Sequence, residues 1–364
     1  MRVVSHLFNR DSNSDVFRFG NRSSLTQEPG GRFTFRAGPG DNRIDVRKVS
    51  GRDNDFYEVR VDDERFRLTQ DQMRRLTIKG GGGDDTIRID PSVDVPIRVE
   101  GNTGGDTIIN GSNGAHLLGG DGNDFISSHG HSVRIHGGAK GDLIDAHGNG
   151  VEVRGGNGND IINLTGRGNV ARGGLGADGI SAQGDGHALY GGGGADDLEL
   201  HGNGGTLRGN RGPDRLRAVG DANDLGGGLG RDVLRGHGDA NILRGGAGSD
   251  DLEVQGFGNR LRGNTGPDRL RATGASNRLE GGWGYDLVEA VGAFNFANGG
   301  PGPDVVNAFG PGSFATGGLG WDNVNGQGPW GEFFESPYRH PGRLLGQMIS
   351  AADSFLMRVA GWGL

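Results

Sequence analysis

The chain has 364 residues and a formal net charge of −8, with 78 glycines, no cysteine and only 32% apolar residues. So little apolar material excludes a thick globular core, and the missing cysteines exclude disulfide bracing. The acidic balance argues against nucleic acid as the main partner, and glycine without a Gly-X-Y triplet excludes collagen.

The first residues, Met1 to Arg10, lack the apolar h-region of a secretory leader, and no 18-residue apolar run occurs anywhere. Neither a cleaved signal peptide nor a transmembrane segment is expected. Alternation at 32–36 (RFTFR), 43–47 (RIDVR) and 56–61 (FYEVRV) predicts strands, and 70–75 predicts one helical turn. Residues 1–79 therefore read as a small N-terminal β-rich cap or domain.

At Gly80 the composition changes. The stretch GGGGDD, ending at Asp85, opens a repeat, and the step from Asp85 to Asp106 is 21 residues, with Pro91 and Pro96 in the insertion. From there an aspartate recurs every 18 residues: Asp106, Asp124, Asp142, Asp160, Asp178, Asp196, Asp214, Asp232, Asp250, Asp268, Asp286, Asp304 and Asp322. A fixed period sustained this long implies a stacked repeat, one turn per period. A carboxylate at one phase of every turn forms a column. Charges stacked about 4.8 Å apart repel unless cations lie between them.

Each turn has two unlike halves. The first reads Gly-Gly-x-Gly-x-Asp-x-U-x, with U apolar in every copy from Ile108 to Val324. The second reads x-x-Gly-x-x-Asn-x-Leu-x. Its apolar column runs from Leu117 through Leu243 to Phe333, and its glycine column from Gly130 to Gly328. Two short strands per turn facing each other, each giving about one core side chain, predict an all-β parallel β-roll or β-solenoid over 80–334. Glycine supplies the turns.

The nonapeptide resembles the RTX repeats of the haemolysin-type calcium-binding family, over roughly residues 80–334. That resemblance implies a parallel β-roll with Ca²⁺ between successive turns. Asp85 and Asp106 through Asp322 would supply carboxylates, and the loops of Gly119, Gly137 and Gly155 would supply carbonyls. Oxygen-only ligands suit this hard cation. A metal-free turn ladder is the bland alternative. RTX repeats usually carry the motif in both halves of the turn. Here the sixth position of the second half holds Asn169, Asn223, Asn241, Asn259, Asn277 and Asn295, or Val, His, Gly and Ser. Calcium is therefore expected along one edge, with neutral side-chain-to-backbone hydrogen bonds along the other. Thirteen regular turns leave at most twelve gaps for ions, with one more at Asp85. Lys140 places a cation beside its loop, and the fifth loop position becomes Pro213, Arg231, Pro267, Tyr285, Pro303 or Trp321 in later turns. Affinity is expected to fall at Lys140 and toward the C-terminus.

Residues 335–364 break the period. After Pro337 and Pro341, the residues Leu344, Leu345, Met348, Ile349, Ala352, Phe355, Leu356 and Val359 recur at helical spacing. They predict an amphipathic C-terminal helix, either a cap on the last turn or a secretion signal. Many RTX proteins leave Gram-negative bacteria by type I secretion with an uncleaved C-terminal signal, so the resemblance implies a secreted, extracellular protein.

No His-Glu-x-x-His, Gly-x-Ser-x-Gly or P-loop motif occurs, so an enzyme is not expected. Arg154, Arg172, Arg208, Arg244 and Arg262 share one outward position, and Arg217, Arg235 and Arg271 its counterpart. Such stripes suit an acidic polysaccharide or other cell-surface glycan, whether in a binding module or as accessory to a polysaccharide-acting enzyme. Interleaved carboxylates suit an ordinary ion-paired face instead. His129, His131 and His147 fall on adjacent turns and raise a transition-metal site against plain turn histidines. The first expectation is a calcium-stabilised structural or adhesive protein.

Overall fold

The structure is a computed structural model that describes residues 23–51 and 54–327, together with the backbone of strands β1 (Arg2–Val3), β2 (Asp15–Arg18) and the pair Phe333–Phe334. The expected C-terminal helix lies outside the described residues. The chain divides into two compact units, Met1–Val233 and Leu234–Leu364.

Each unit is a parallel β-solenoid with 18-residue turns. In the first, strands such as Thr107–Asn110, Phe125–Ser128 and Leu143–His147 stack in parallel, so Ile108, Ile126, Ile144, Ile162, Ile180, Leu198 and Leu216 pair in strict succession. A second parallel sheet aligns Leu117, Ile135, Val153, Ala171, Leu189, Leu207 and Leu225. The second unit repeats this, with Leu252, Leu270 and Val288 on one sheet and Leu243, Leu261 and Leu279 on the other. All these side chains are buried. One buried Leu or Ile contributes about 2 kcal/mol, so the fold is held by many small increments rather than one core.

The first-half strands donate two core side chains, not the single one expected. Beyond the U position lie Ala146, Leu164, Ala182, Leu200 and Ala218 in the first unit, and Val254, Ala272, Ala290 and Ala308 in the second, all buried. The first members of this column are polar. Asn110 Nδ2 donates to Ser128 Oγ at 3.0 Å and to the Ser112 carbonyl at 2.8 Å, which makes their burial tolerable.

The segment expected as a cap is β-rich, and part of it already coils. Strands β3 (Ser24–Gln27) and β4 (Phe33–Arg36) form a hairpin. Then β5 (Arg43–Val49) runs antiparallel to β6 (Phe56–Val61), which pairs with β7 (Glu64–Leu68). A five-residue helix follows, α1 (Gln70–Arg74), started by a Thr69–Gln72 capping box. It leads into β8 (Leu76–Gly82) and β9 (Thr86–Ile89). Yet β4 pairs in parallel with β8, and β5 with β9, with Ile44 beside Ile87. Residues 33–49 are thus a turn of the solenoid laid before the first sequence repeat, and β6, β7 and α1 are inserted between that turn and the next.

Candidate metal column

The glycine-rich hexapeptide bends the chain from one sheet to the other and delivers its aspartate to the interior. All fourteen aspartates from Asp85 to Asp322 are at most 3% exposed. One carboxylate oxygen has a fixed task. In the first unit the amide of each aspartate donates to Oδ1 of the aspartate one turn on, from Asp85 to Asp106 through Asp214 to Asp232, at 2.8–2.9 Å. Asp250 through Asp322 repeat this in the second unit at 2.8–3.0 Å. The ladder satisfies a buried N–H that the turn leaves without a strand partner.

The other oxygen has none. Oδ2 of Asp85, Asp106, Asp124, Asp142, Asp160, Asp178, Asp196 and Asp214 is buried without a hydrogen-bond partner, as is Oδ2 of Asp268, Asp286 and Asp304. It lies against the first glycine of its own hexapeptide. A methyl group on Gly119 would collide with Asp124 Oδ2 and stand 2.6 Å from the Gly137 carbonyl oxygen. One on Gly137 would meet Asp142 Oδ2 and the Gly155 carbonyl at 2.7 Å, and one on Gly101 would meet Asp106 Oδ2 and the Gly119 carbonyl at 2.6 Å. The carbonyls of Gly119, Gly137 and Gly155 thus lie on the same side as Oδ2 of Asp106, Asp124 and Asp142, about the space a glycine side chain would fill. These glycines are required by the space the carboxylate takes, while the next one, such as Gly120 at φ +130°, is required by its backbone angle.

The opposite edge is the internal control. Asn169, Asn223, Asn259, Asn277 and Asn295 are buried and use Oδ1 as the aspartates do: it accepts the amide of Val151, Gly205, Asn241, Asn259 and Asn277 in turn, at 2.7–2.9 Å. In four of them the second atom, Nδ2, donates to a glycine carbonyl: Asn169 to Gly148 at 2.9 Å, Asn223 to Gly202 at 3.0 Å, Asn277 to Gly256 at 3.1 Å and Asn295 to Gly274 at 2.9 Å; Asn259 Nδ2 is buried without a partner. The two edges share the Oδ1 ladder and differ in the second side-chain atom: Nδ2 meets the carbonyl of a glycine on the preceding turn, whereas Oδ2 lies near the carbonyl of a hexapeptide glycine on the next turn. The asparagine edge sets an N–H donor against a carbonyl, and the aspartate edge sets a bare oxygen against one. Two acceptors facing each other in a dry interior require a proton or a cation between them.

The electrostatics agree. Burial pushes Asp106, Asp142, Asp214, Asp268 and Asp304 up to about 7, and the charges of the aspartates one turn above and below push in the same direction, against the accepted backbone N–H. Burial likewise raises Asp178, Asp196 and Asp286 to about 6. Asp85, Asp124, Asp160 and Asp232 are also raised, chiefly by burial. The donor set left over is carboxylate and carbonyl oxygen, which fits a hard divalent ion.

Sequence reasoning missed the residue that ends the column. Asn42 occupies the aspartate position of the turn at 33–49, in Ala37–Asn42 (AGPGDN). Its amide donates to Asp85 Oδ1 at 2.8 Å, and its Nδ2 donates to the Gly38 carbonyl at 3.0 Å and to the Gly40 carbonyl. The signal was present: two glycines, an Asp-Asn pair, and Ile44 at the U spacing. It was hidden because the next copy lies 43 residues on.

The loop substitutions sort by direction. Asn102, Asn210, Asn264 and Lys140 replace glycine at φ +79°, +80°, +77° and +73°, a region asparagine tolerates and lysine does not favour. The Lys140 ammonium acts on Asp124 and lowers its pKa, so it does stand beside the column. The third and fifth loop residues point away: Leu175, Leu229, Trp283, Tyr285, Leu319 and Trp321 are more than half exposed. The inner ladder runs from Asp268 to Asp322 at 2.8–3.0 Å beside Tyr285 and Trp321, so those substitutions do not interrupt it.

On the outer faces, Arg208 pairs with Asp224, Arg217 with Glu199, Arg235 with Asp251 and Glu253, Arg262 with Glu280 and Arg271 with Glu289. Glu152 gathers Arg154 and Arg172. The His129 and His147 rings stack at 4.9 Å, His147 meets Thr165 Oγ1 at 2.8 Å, and His131 accepts the Asn149 amide at 3.0 Å. Among the described residues no three His, Asp or Glu side chains converge as a metal cluster. No helix there is long and apolar enough to cross a membrane. No protein-family model matches this chain, and no curated protein sequence matches it.

Proposed function

We propose that the protein is a calcium-binding, calcium-stabilised β-roll of the RTX kind, non-enzymatic and secreted, serving as a structural or adhesive module. What carries this reading is the column of buried Oδ2 atoms set against glycine carbonyls, at the position where the opposite edge has an amide donor. Asp106 through Asp214 in the first unit, and Asp268 through Asp304 in the second, would hold the ions together with loop carbonyls such as those of Gly119, Gly137 and Gly155. A bound Ca²⁺ would supply the positive charge the ladder lacks, and Oδ1 would go on fixing the backbone. In a calcium-poor cytosol the column is self-repelling and favours the unfolded chain. Outside the cell calcium would drive folding, because binding to the native state alone adds to stability.

The test is calorimetric titration of the EDTA-treated chain with CaCl₂ at pH 7.5, followed by circular dichroism. The expected result is several sites per chain and a rise in β content. Full β content in EDTA with no binding heat would overturn the proposal. The arginine stripes give little support to a glycan-binding module, since the guanidinium groups of Arg154, Arg172, Arg208, Arg217, Arg235, Arg262 and Arg271 are engaged with carboxylates.

A further inference from the structure

The outer face of the N-terminal sheet holds a different kind of charge. A cavity of about 300 Å³ is lined by Asp45, Arg47, Glu58, Arg60, Arg65, Arg88 and Asp90. Strand register sets four of these in one row across the sheet: Arg88 on β9 beside Asp45 on β5, Asp45 beside Arg60 on β6, and Arg60 beside Arg65 on β7. Every carboxylate at the cavity is engaged with another group. Glu58 Oε1 takes Arg47 through Nε and Nη2 at 3.0 and 2.8 Å. Asp45 takes Arg43 at 3.1 Å. Asp90 accepts the Ser92 amide at 2.9 Å, and its charge feels Arg88 and Arg47 nearby.

Three cations remain. Among the described residues, Arg65 and Arg88 form no ion pair, and Arg60 makes one hydrogen bond, from Nε to the Asp62 carbonyl at 2.8 Å. Arg60 and Arg65 face each other directly across β6 and β7, an arrangement of like charges that costs stability when nothing lies between them. Guanidinium forks on a firm sheet match the paired oxygens of sulfate and phosphate. The solenoid stripes differ, because arginines such as Arg208, Arg217, Arg235 and Arg262 there meet carboxylates on adjacent turns.

We propose that Arg60, Arg65 and Arg88 form an anion site for a sulfate- or phosphate-type group, free or carried on an acidic polysaccharide. The charge complementarity is local and does not depend on whether the aspartate column binds calcium.

The test uses the full chain in calcium buffer, with sodium sulfate and a sulfated heparin hexasaccharide as separate probes, and the desulfated hexasaccharide as the blank. Saturable binding of either probe is expected, with the hexasaccharide binding more tightly if the group belongs to a polymer and equally if a free anion is the ligand. Arg60→Gln with Arg65→Gln should weaken binding at least tenfold, whereas Arg217→Gln, whose arginine is paired elsewhere, should change it less than twofold. The double variant should also melt at a higher temperature than the parent in sulfate-free buffer, since the facing charges are gone, and sulfate should no longer raise its melting point. Single Arg65→Lys keeps the charge and should retain measurable binding, which covers any folding defect of the double variant. Absence of saturable binding to the parent chain, or equal affinity in the parent and the folded glutamine variants, overturns the proposal.

Discussion

At the scale of single residues, the fold turns on one atom per turn. Asp142→Asn keeps the Oδ1 that accepts the Asp124 amide and replaces the orphaned oxygen with an amide facing the Gly155 carbonyl. The variant should behave as a local copy of the asparagine edge. In EDTA at pH 7.5 it should be more stable than the parent by about 1 kcal/mol, the net contribution of a buried hydrogen bond. In calcium it should lose that advantage and bind fewer ions. Paired denaturant titrations with and without EDTA check this, and a variant less stable in both conditions would sink the idea. A second pair of substitutions separates space from backbone angle. Gly155→Ala puts a methyl on Asp160 Oδ2 and 2.7 Å from the Gly173 carbonyl, whereas Gly168→Ala, at φ +63°, meets nothing within 4 Å. The first should cost roughly 1–3 kcal/mol from overpacking and also weaken calcium binding; the second should cost about 1 kcal/mol and leave calcium binding alone. Urea midpoints together with calcium titrations distinguish them.

At the scale of the element, the 18-residue turn was legible because its period, its apolar columns and its aspartate phase are all written in residue types that cannot be exchanged. Ile108 to Val324 admits no polar member, and a strand's alternation fixes such a column inward. The asymmetry of the edges was equally legible, since Asn and Asp differ in charge. Other features were not. The second inward column mixes Asn110, Ser128, Ala146 and Leu164, so no periodic hydrophobic signal marks it. The turn at 33–49 was obscured by an insertion, because pairing of β4 with β8 and β5 with β9 ignores how much chain runs between them. The fifth-position aromatics Tyr285 and Trp321 stand in a loop whose backbone sends them to solvent, which their residue type alone does not reveal. Lys140 combines a left-handed backbone with a charge that acts on the aspartate one turn back. Lys140→Gly relieves a left-handed lysine and removes a cation acting on Asp124. It should stabilise the calcium-bound protein by about 1 kcal/mol and tighten calcium binding, both visible in thermal melts at graded calcium.

At the scale of the whole molecule, protons and calcium compete for the same column, and the sign of the pH dependence separates them. The buried aspartates are raised from an unfolded value of 3.8 to about 6 or 7. In the metal-free protein the folded state therefore holds more protons than the unfolded state across that window. Its stability is fully present below pH about 4 and is lost as pH rises through 6 and 7. A protonated carboxyl can donate to the facing glycine carbonyl, so at low pH the aspartate edge becomes chemically like the asparagine edge. Calcium needs the ionised form, so its contribution runs the other way, small at pH 5 and large at pH 8. Melts of the EDTA-treated chain should thus show a transition temperature that falls from pH 5 to pH 8, and saturating calcium should flatten or invert that slope. A metal-free melting temperature that stays level between pH 5 and pH 8 would mean that the buried carboxylates do not oppose folding, and the physical reason for expecting a cation along this edge would be gone.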